Sequence, residues 1–304
     1  MPRILFLFLD GVGLGADDPA RNPLAAADLP TLSALLAGAR PLAATLRTET
    51  ASALFIPTDA GLGVDGLPQS ATGQAALLTG RNIPAEIGGH WGPKPNAAVA
   101  QVLRAGSIFH ELRSAGRRAA LLSGYPQRYF DAIASGRRSY SAIPLAATAA
   151  GLDLAGEDDI RAGRALGADF TNAFWRSELG SDVPVYTPRE AGQRLAAAAA
   201  EYDFALFEHW VTDYVGHRGA LSDGIALVEQ IDQVLAGVLD RWDLARDLVI
   251  ITSDHGNLED LGHRHHTLNR VPTFLIGAGR AAFDDLHDLT GLVPGIRRVL
   301  LQTV

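Results

Sequence analysis

Five short apolar runs, each ending in a polar or glycine-rich turn, recur along the chain. Continuous apolar runs of this length are typical of strands that are buried on both faces of a parallel sheet. Amphipathic helical patterns separate the runs, and the longest of them is Ser222–Trp242. Strands that alternate with helices predict an α/β fold, with a mostly parallel sheet covered by helices on both faces. The five runs are Ile4–Leu9, Ala119–Ser123, Phe204–Glu208, Leu248–Thr252 and Thr273–Ile276.

The segment 128–187 interrupts this alternation. It is rich in Ala, Gly, Ser and Arg, contains no clear buried strand, and includes the aromatic residues Phe170, Phe174 and Trp175. We predict that it forms a small, mainly helical inserted lid of about 60 residues that covers a site. The remaining residues, 1–127 and 188–304, would then form one α/β core domain, a size that a chain of 304 residues accommodates.

Charge and cysteine content exclude several classes of function. The net charge of −8 and the lack of a basic tract argue against a nucleic-acid scaffold. No cysteine is present, which excludes disulfides, thiolate metal ligands and a cysteine nucleophile. The run Ile4–Leu9 is too short for a signal-peptide core or a membrane span before it meets Asp10. We therefore expect no membrane partner and a cytoplasmic location.

Carboxylates and imidazoles gather where the predicted strands end or begin. An aspartate follows the first run, Asp and His spaced four apart follow the third, an Asp-His pair follows the fourth, and two histidines precede the fifth. In open α/β sheets, ligands bind beyond the carboxyl ends of the strands. Such nitrogen and oxygen donors are a ligand set for divalent metals. These residues are Asp10, Asp213, His217, Asp254, His255, His265 and His266.

A polar segment, Gln69–Gln74, opens a helical stretch at Ala75–Leu78. A hydroxyl at the start of a helix has backbone N–H donors and the positive end of the helix dipole beside it. By itself this pattern is typical of a helix cap. Beside bound cations the same position suits an alkoxide nucleophile, because a cation lowers the pKa of the hydroxyl. Ser70 is therefore the candidate nucleophile.

Taken in order, these motifs resemble those of the alkaline phosphatase superfamily of dimetal enzymes. Within it, the chain is most similar to cofactor-independent phosphoglycerate mutase and phosphopentomutase. The resemblance covers both ends of the chain, about 1–127 and 188–304, but not the segment between them. The matching pieces are Leu9–Gly13, Ser70 with Arg81, Asp213–His217, Ser253–Asn257 and His266–Pro272.

The resemblance implies two divalent metal ions, either zinc or manganese, with magnesium as a further option. One ion would be held by Asp10, Ser70, Asp254 and His255, and the other by Asp213, His217 and His266. It also implies that Ser70 attacks phosphorus and forms a phosphoseryl intermediate, which water or a second hydroxyl then resolves. Arg81 would contact the phosphate through its guanidinium fork.

The nucleophile region departs from the mutase pattern. Gln74 stands where the mutases have a histidine, and Ala71 and Thr72 also differ. Thr72 is a rival nucleophile, because phosphopentomutases use a threonine in this region.

Further residues are candidates for contact with a substrate. Asn82 adjoins Arg81, while His90 and the only lysine, Lys94, lie in a loop after the nucleophile region. The piece Tyr125–Arg128 follows a predicted strand and is expected to line the pocket. His209, by contrast, is expected to be structural.

The predicted function is that of a metal-dependent phosphatase or phosphodiesterase acting on a small phosphate ester. The segment 128–187 is small and contains no lysine, which favours a hydrolase that admits water over a mutase that excludes it. A phosphomutase acting on phosphoglycerate or a sugar phosphate is the alternative. An alternative of another class is a non-catalytic protein that binds metal or phosphate.

Overall fold

The computed structural model describes residues 1–302, which form a seven-stranded mixed sheet with helices on both faces. The strands are β1 (Ile4–Leu9), β2 (Thr48–Glu49), β3 (Ala53–Thr58), β4 (Ala119–Leu121), β5 (Phe204–His209), β6 (Leu248–Thr252) and β7 (Val271–Gly277). The first helices are α1 (Pro23–Ala26), α2 (Pro30–Leu35), α3 (Ser70–Thr79), α4 (Ile83–Ile87), α5 (Ala97–Ala105), α6 (Ile108–Ser114) and α7 (Gln127–Ala134). The later ones are α8 (Ala142–Ala149), α9 (Glu157–Arg161), α10 (Ala173–Leu179), α11 (Pro188–Ala199), α12 (Val211–Arg218), α13 (Leu221–Leu239) and α14 (Leu292–Leu300).

The strands lie in the order β2-β3-β7-β6-β1-β5-β4. Strand β1 pairs in parallel with β5 and β6, and β4 pairs in parallel with β5. Strand β7 runs antiparallel to β6 and β3, and β2 runs antiparallel to β3. Five of these seven strands therefore point in one direction, which confirms the predicted mostly parallel α/β sheet.

Two strands of this sheet, β2 and β3, were not predicted from the sequence. Strand β3 contains Pro57, which faces Pro272 of β7 across the antiparallel pair. Proline donates no ladder hydrogen bond and weakens a strand pattern, so this stretch does not resemble a buried strand. The strand at Thr273–Ile276 was predicted, but its pairing is antiparallel.

Alternate residues of β1 point into two different apolar cores. Phe6 and Phe8 lie in the core on the α3 side, and Leu5 and Leu7 lie in the core on the α13 side. This alternation follows from the two-residue period of a strand. Because both faces of β1 are buried, the sequence of this strand is apolar throughout and the residue that follows it, Asp10, marks its end.

The segment 128–187 contains α8, α9, α10 and most of α7, and no strand of the sheet. Helix α8 contributes Ile143 and Ala146 to the core on the α3 side. Residues after α8 form a small apolar cluster of their own, made of Ile160, Ala165, Trp175 and Val183. Among residues 1–302, no helix is long and apolar enough to cross a membrane.

Candidate metal centre

The carboxyl ends of three neighbouring strands carry most of the candidate ligands. Asp10 follows β1, Asp254 and His255 follow β6, and the helix after β5, α12, carries Asp213 and His217. Because β5, β1 and β6 are adjacent and parallel, their carboxyl ends meet at one edge of the sheet. The fold therefore brings together residues that are far apart in sequence.

The first cluster consists of Asp10, Asp254 and His255, all of which are buried. One potential ligand atom from each lies within 4.8 Å of the others. His255 Nε2 lies 3.3 Å from Asp10 Oδ1 and 3.7 Å from Asp254 Oδ1. In the part of the chain that the structure describes, Asp10 Oδ1 makes no hydrogen bond of normal geometry despite its burial. A buried carboxylate oxygen without a hydrogen-bond donor fits a metal ligand.

The second cluster consists of Asp213, His217 and His266, which are half-buried and also within 4.8 Å of one another. His217 Nε2 lies 3.4 Å from Asp213 Oδ1 and 3.2 Å from His266 Nε2. Asn257 Nδ2 donates a hydrogen bond of 2.7 Å to Asp213 Oδ1 and thereby orients this carboxylate. The rings of His255 and His266 stack at 3.7 Å, so the two clusters are adjacent.

Backbone carbonyls fix the tautomers of the histidines in the second cluster. His266 Nδ1 lies 2.7 Å from the carbonyl oxygen of Pro68, and His217 Nδ1 lies 3.0 Å from that of Arg264. A carbonyl oxygen only accepts, so each Nδ1 carries the proton when the ring is neutral. The unprotonated Nε2 atoms then face each other and Asp213, an arrangement typical of histidines that bind a metal. The residues present therefore fit a divalent cation.

Burial and charge shift the pKa values in the first cluster. Burial, and then the charge of Asp254, raises the pKa of Asp10 well above its ordinary value. Burial also raises the pKa of Asp254. Burial opposes the charge on His255, but Asp254 and Asp10 raise the pKa of this imidazole to about 10. Two acidic groups this close and this deeply buried favour a positive charge between them.

Ser70 is the first residue of α3 and lies beside the first cluster. Its Oγ is 3.0 Å from His255 Nε2, and its side chain reaches the cavity described below. Gly73, one turn into the helix, allows this approach, because a Cβ at that position would lie 2.9 Å from the Asp254 carbonyl oxygen. The predicted nucleophile, the predicted ligands and the helix N-terminus therefore meet at one point.

Gln74 ties the two carboxylates of the first cluster together. Its Nε2 donates to Asp254 Oδ2 at 3.1 Å and to Asp10 Oδ2 at 3.4 Å. This is the position at which the sequence departs from the mutase pattern. The glutamine stands one turn after Ser70, so it reaches the carboxylates from the same face of α3.

Thr72, the rival nucleophile, is not brought to the cavity. It is fully buried, and its Oγ1 donates to the carbonyl oxygen of Gln69 at 3.1 Å. The same oxygen accepts a hydrogen bond of 3.1 Å from the backbone N–H of Trp91. Residues two apart point to different sides of a helix, which is why Ser70 and Thr72 are separated. Thr72 therefore anchors a loop, and its prediction as a nucleophile is corrected.

Arg81 and Asn82 also lie away from the cavity that contains Ser70. Arg81 pairs with Glu86 through an Nε–Oε1 hydrogen bond of 2.9 Å and lines a different cavity. Asn82 caps α4 by accepting from the Ala85 N–H at 3.2 Å. Both residues follow the far end of α3, whose ten residues span roughly 15 Å. Their predicted contact with phosphate is therefore corrected.

The loop with His90 and Lys94 reaches the cavity through only one of these residues. His90 Nε2 lies 3.3 Å from the Val64 carbonyl oxygen, and its side chain is not among those lining the cavity. Lys94 lines the cavity, and its Nζ donates to the Ser139 carbonyl oxygen at 3.1 Å. Lys94 therefore remains a candidate for contact with a substrate. His90 lies outside the cavity, so its predicted contact with a substrate is corrected.

A cavity of about 650 Å³ connects the two clusters to the segment 128–187. Asp10, Ser70, Asp213 and His217 line it, and so do residues of α7 and α10. Tyr125, Pro126 and Arg128 line it, as predicted for the piece after the second apolar run. This volume is within the range of small-molecule sites.

One buried acidic residue of this cavity was missed in the sequence. Glu208 lines the cavity, and its Oε2 accepts a hydrogen bond of 2.6 Å from the Tyr125 hydroxyl. Burial raises the pKa of Glu208 to about 7. In the sequence, Glu208 is a single acidic residue at the end of an apolar run, and this pattern indicates only the end of a strand.

Comparisons with known proteins agree with this geometry. A family model described as the metalloenzyme superfamily matches residues 184–293. A 2,3-bisphosphoglycerate-independent phosphoglycerate mutase of Methylobacillus flagellatus is 37% identical over 103 residues, which cover 31% of this chain and 20% of the mutase. The mutase of Thiobacillus denitrificans is 30% identical over 126 residues, covering 38% of this chain and 25% of that protein. The chain thus matches about a fifth to a quarter of the length of these curated relatives.

Solved structures share the fold at low sequence identity. The PH0037 protein from Pyrococcus horikoshii has a TM-score of 0.59 and 14% identity, with coverage of 100% of this chain and 98% of that one. The lipoteichoic acid synthase LtaP from Listeria monocytogenes has a TM-score of 0.53 and 11% identity, with coverage of 100% and 72%. The family match implies divalent metal ions and confirms the resemblance found in the sequence. Residues 184–293 of this chain thus match the metalloenzyme superfamily, and the relatives matched in sequence are named 2,3-bisphosphoglycerate-independent phosphoglycerate mutases.

Proposed function

We propose that the protein hydrolyses small phosphate esters, with Ser70 as the nucleophile. The observation that carries this proposal is the position of Ser70 Oγ at the start of α3, in the cavity and 3.0 Å from His255 Nε2. The positive end of the α3 dipole lies at the place where a phosphoryl group would approach this oxygen.

Seven residues would hold two divalent ions. Asp10, Ser70, Asp254 and His255 would hold one, and Asp213, His217 and His266 the other. When bound, such ions supply Lewis acidity that lowers the pKa of a hydroxyl and neutralises phosphoryl charge. The mixed nitrogen and oxygen donors suit zinc or manganese, with magnesium as a further option.

The chain's own residues account for the two chemical steps. Ser70 Oγ loses its proton and forms a bond to phosphorus, while the bond from phosphorus to the ester oxygen breaks and that oxygen takes up a proton. Water then attacks the phosphorus of phosphoserine, which releases inorganic phosphate and returns a proton to Ser70 Oγ. Gln74 holds Asp10 and Asp254 in place throughout, through the hydrogen bonds described above.

Access of water to the cavity supports hydrolysis. Tyr214, which lines the cavity beside Asp213, is 53% exposed. A mutase must keep water away from its phosphoryl intermediate. Phosphomutase activity is the second candidate, because the curated relatives carry that name.

A phosphate-release assay on the metal-loaded protein tests the proposal. Zinc, manganese and magnesium are each supplied with mono- and diesters, and Ser70→Ala is compared with Thr72→Val. We expect Ser70→Ala to abolish release and Thr72→Val to retain it. Full activity in Ser70→Ala would refute the nucleophile. Phosphoglycerate that changes isomer without release of phosphate would establish the mutase instead.

A further inference from the structure

Helix α12 presents a second row of side chains to the cavity beside its candidate ligands. Trp210, Tyr214 and Arg218 are spaced four apart, so they lie along one face of the helix. Each of the last two directly follows a candidate ligand, Asp213 or His217. All five residues line the cavity. The row therefore borders the place where phosphorus would react.

The aromatic side chains of this row are unusually exposed. Trp210 is 41% exposed and Tyr214 is 53% exposed, whereas the large aromatic side chains of the cores are buried. The guanidinium of Arg218 lies 5.5 Å from the centre of the Tyr214 ring and supports it from one side. Exposed aromatic surface at the wall of a cavity is surface that a ligand can bury.

A third exposed aromatic side chain comes from the segment 128–187. Phe174 of α10 is 41% exposed and lines the same cavity. Its neighbour Trp175 is buried in the small cluster with Ile160 and Val183, and this contact fixes α10. Two elements that are far apart in sequence thus present aromatic rings to one cavity.

The volume of the cavity points to a substantial leaving group. About 650 Å³ is enough for a drug-sized molecule, so a phosphoryl group beside Ser70 fills only a part of it. Flat rings stack favourably on aromatic side chains, and this stacking needs no hydrogen bond.

We propose that the preferred substrates are phosphate esters whose leaving group carries a flat aromatic ring, which binds against Trp210, Tyr214 and Phe174. This specificity rests on the proposed phosphohydrolase function. These three side chains form the aromatic wall of the cavity. The ring lies on this wall while the phosphoryl group lies at Ser70. The wall therefore selects the alcohol part of the ester and leaves the chemistry at phosphorus unchanged.

The test compares esters that differ in the ring but not in the type of leaving oxygen. Benzyl phosphate, adenosine 5′-monophosphate and propyl phosphate all release an alcohol from a CH₂ carbon. We expect kcat/KM to be about tenfold higher for at least one of the two ring-bearing esters than for propyl phosphate. Comparison of the benzyl and adenosine esters shows whether a simple aryl group or a nucleobase is preferred.

Variants at Tyr214 assign the preference to the wall. Tyr214→Ala should remove most of the preference for the ring, and Tyr214→Phe, which keeps the ring, should restore it. Tyr186→Ala is the matched control, because Tyr186 also stacks with an arginine, Arg194, at 5.5 Å but does not line the cavity. Equal kcat/KM for all three esters, or an equal loss for all three in Tyr214→Ala, would overturn the proposal.

A binding measurement separates this proposal from the proposed function. Benzylphosphonate and propylphosphonate cannot be hydrolysed, and their binding to the metal-loaded protein can be followed by the fluorescence of Trp210. If no ester releases phosphate, the proposed function fails, and tighter binding of benzylphosphonate would still support the aromatic wall. Equal affinity for the two phosphonates would refute the wall whatever the activity. The Trp210→Leu variant identifies the fluorescence signal.

Discussion

The two candidate clusters differ most in how far water reaches them. In the first, Asp254 and His255 are fully buried and Asp10 is 8% exposed. In the second, the side chains of Asp213 and His217 are 20% and 36% exposed. The first cluster therefore holds acidic groups away from water, where a positive charge is needed to balance them. The second cluster is open to the cavity, where a substrate would bind. We expect cation binding at the first cluster to affect mainly the stability of the protein, and cation binding at the second cluster to affect mainly the reaction of the substrate.

Among the variants that test this difference between the clusters, Asp254→Asn should change Tm and phosphate release the most. In metal-free protein it should raise Tm, because it removes one of two adjacent acidic groups whose pKa values are raised by burial. In metal-loaded protein it should lower phosphate release more than about 100-fold, since groups that only support metal ligands cost 10–100-fold. Thermal unfolding with and without chelator, and metal content by mass spectrometry, measure both effects.

Asp213→Asn is the matched variant for the half-buried cluster. It should also lower phosphate release and metal content, but it should change the metal-free Tm less than Asp254→Asn does. Equal changes in the metal-free Tm would show that burial does not distinguish the two clusters.

Removal of the supporting hydrogen bonds should give the next largest effect. Gln74 supports Asp10 and Asp254, and Asn257 supports Asp213. We expect Gln74→Ala and Asn257→Ala each to weaken the binding of one ion by about 10–100-fold. Competition with a chelator of known affinity measures this loss, and each variant should affect a different ion. Loss of both ions in either variant would contradict the assignment of these residues to separate clusters.

The rate of metal release should follow exposure. A chelator should remove the ion of the second cluster at least about tenfold faster than the ion of the first, because solvent reaches the half-buried residues directly. Metal release followed with an absorbing chelator should then show two phases. Asp213→Asn should remove the fast phase and leave the slow one, and a single phase in the native protein would contradict the difference between the clusters.

The sequence predicted the strand ends well because parallel strands leave a strong local signal. Asp10 and Asp254 each stand just after a continuous apolar run, and the structure places both at one edge of the sheet. Strand β3 escaped prediction because Pro57 breaks the pattern, and its partner was needed to define it. Local patterns thus predicted buried parallel strands better than the antiparallel edge.

Distances along a helix explain the errors around Ser70. The resemblance linked Ser70 with Arg81 by sequence spacing, yet Arg81 follows the far end of α3 and lines a different cavity. Thr72 was a rival because phosphopentomutases use a threonine in this region, but a helix turns residues that are two apart to different sides. Glu208 was overlooked because its partner Tyr125 comes from a different strand end. Such pairings depend on tertiary contacts that no local pattern contains.

His209 provides a reference imidazole outside both clusters, and it should give the smallest effect. It is fully buried, stacks on Phe170 at 4.6 Å, and does not line the cavity. Burial lowers its pKa from 6.5 to about 4. Between these values the unfolded chain binds a proton that the folded chain does not, so the free energy of unfolding falls as the pH falls from about 6.5 to about 4.

The slope from this single group is at most about 1.4 kcal/mol per pH unit, or about tenfold per unit in the folding constant. His209→Asn removes the titration and keeps an amide that can donate to the Ala168 carbonyl oxygen, the partner of His209 Nδ1. Urea unfolding of metal-loaded native and variant protein from pH 4 to pH 7 measures the two curves. The variant curve should be flatter, because the carboxylates that titrate in this range are common to both proteins. Parallel curves would show that His209 is not held in its neutral form. His209 could then not serve as the imidazole with which the histidines of the two clusters are compared.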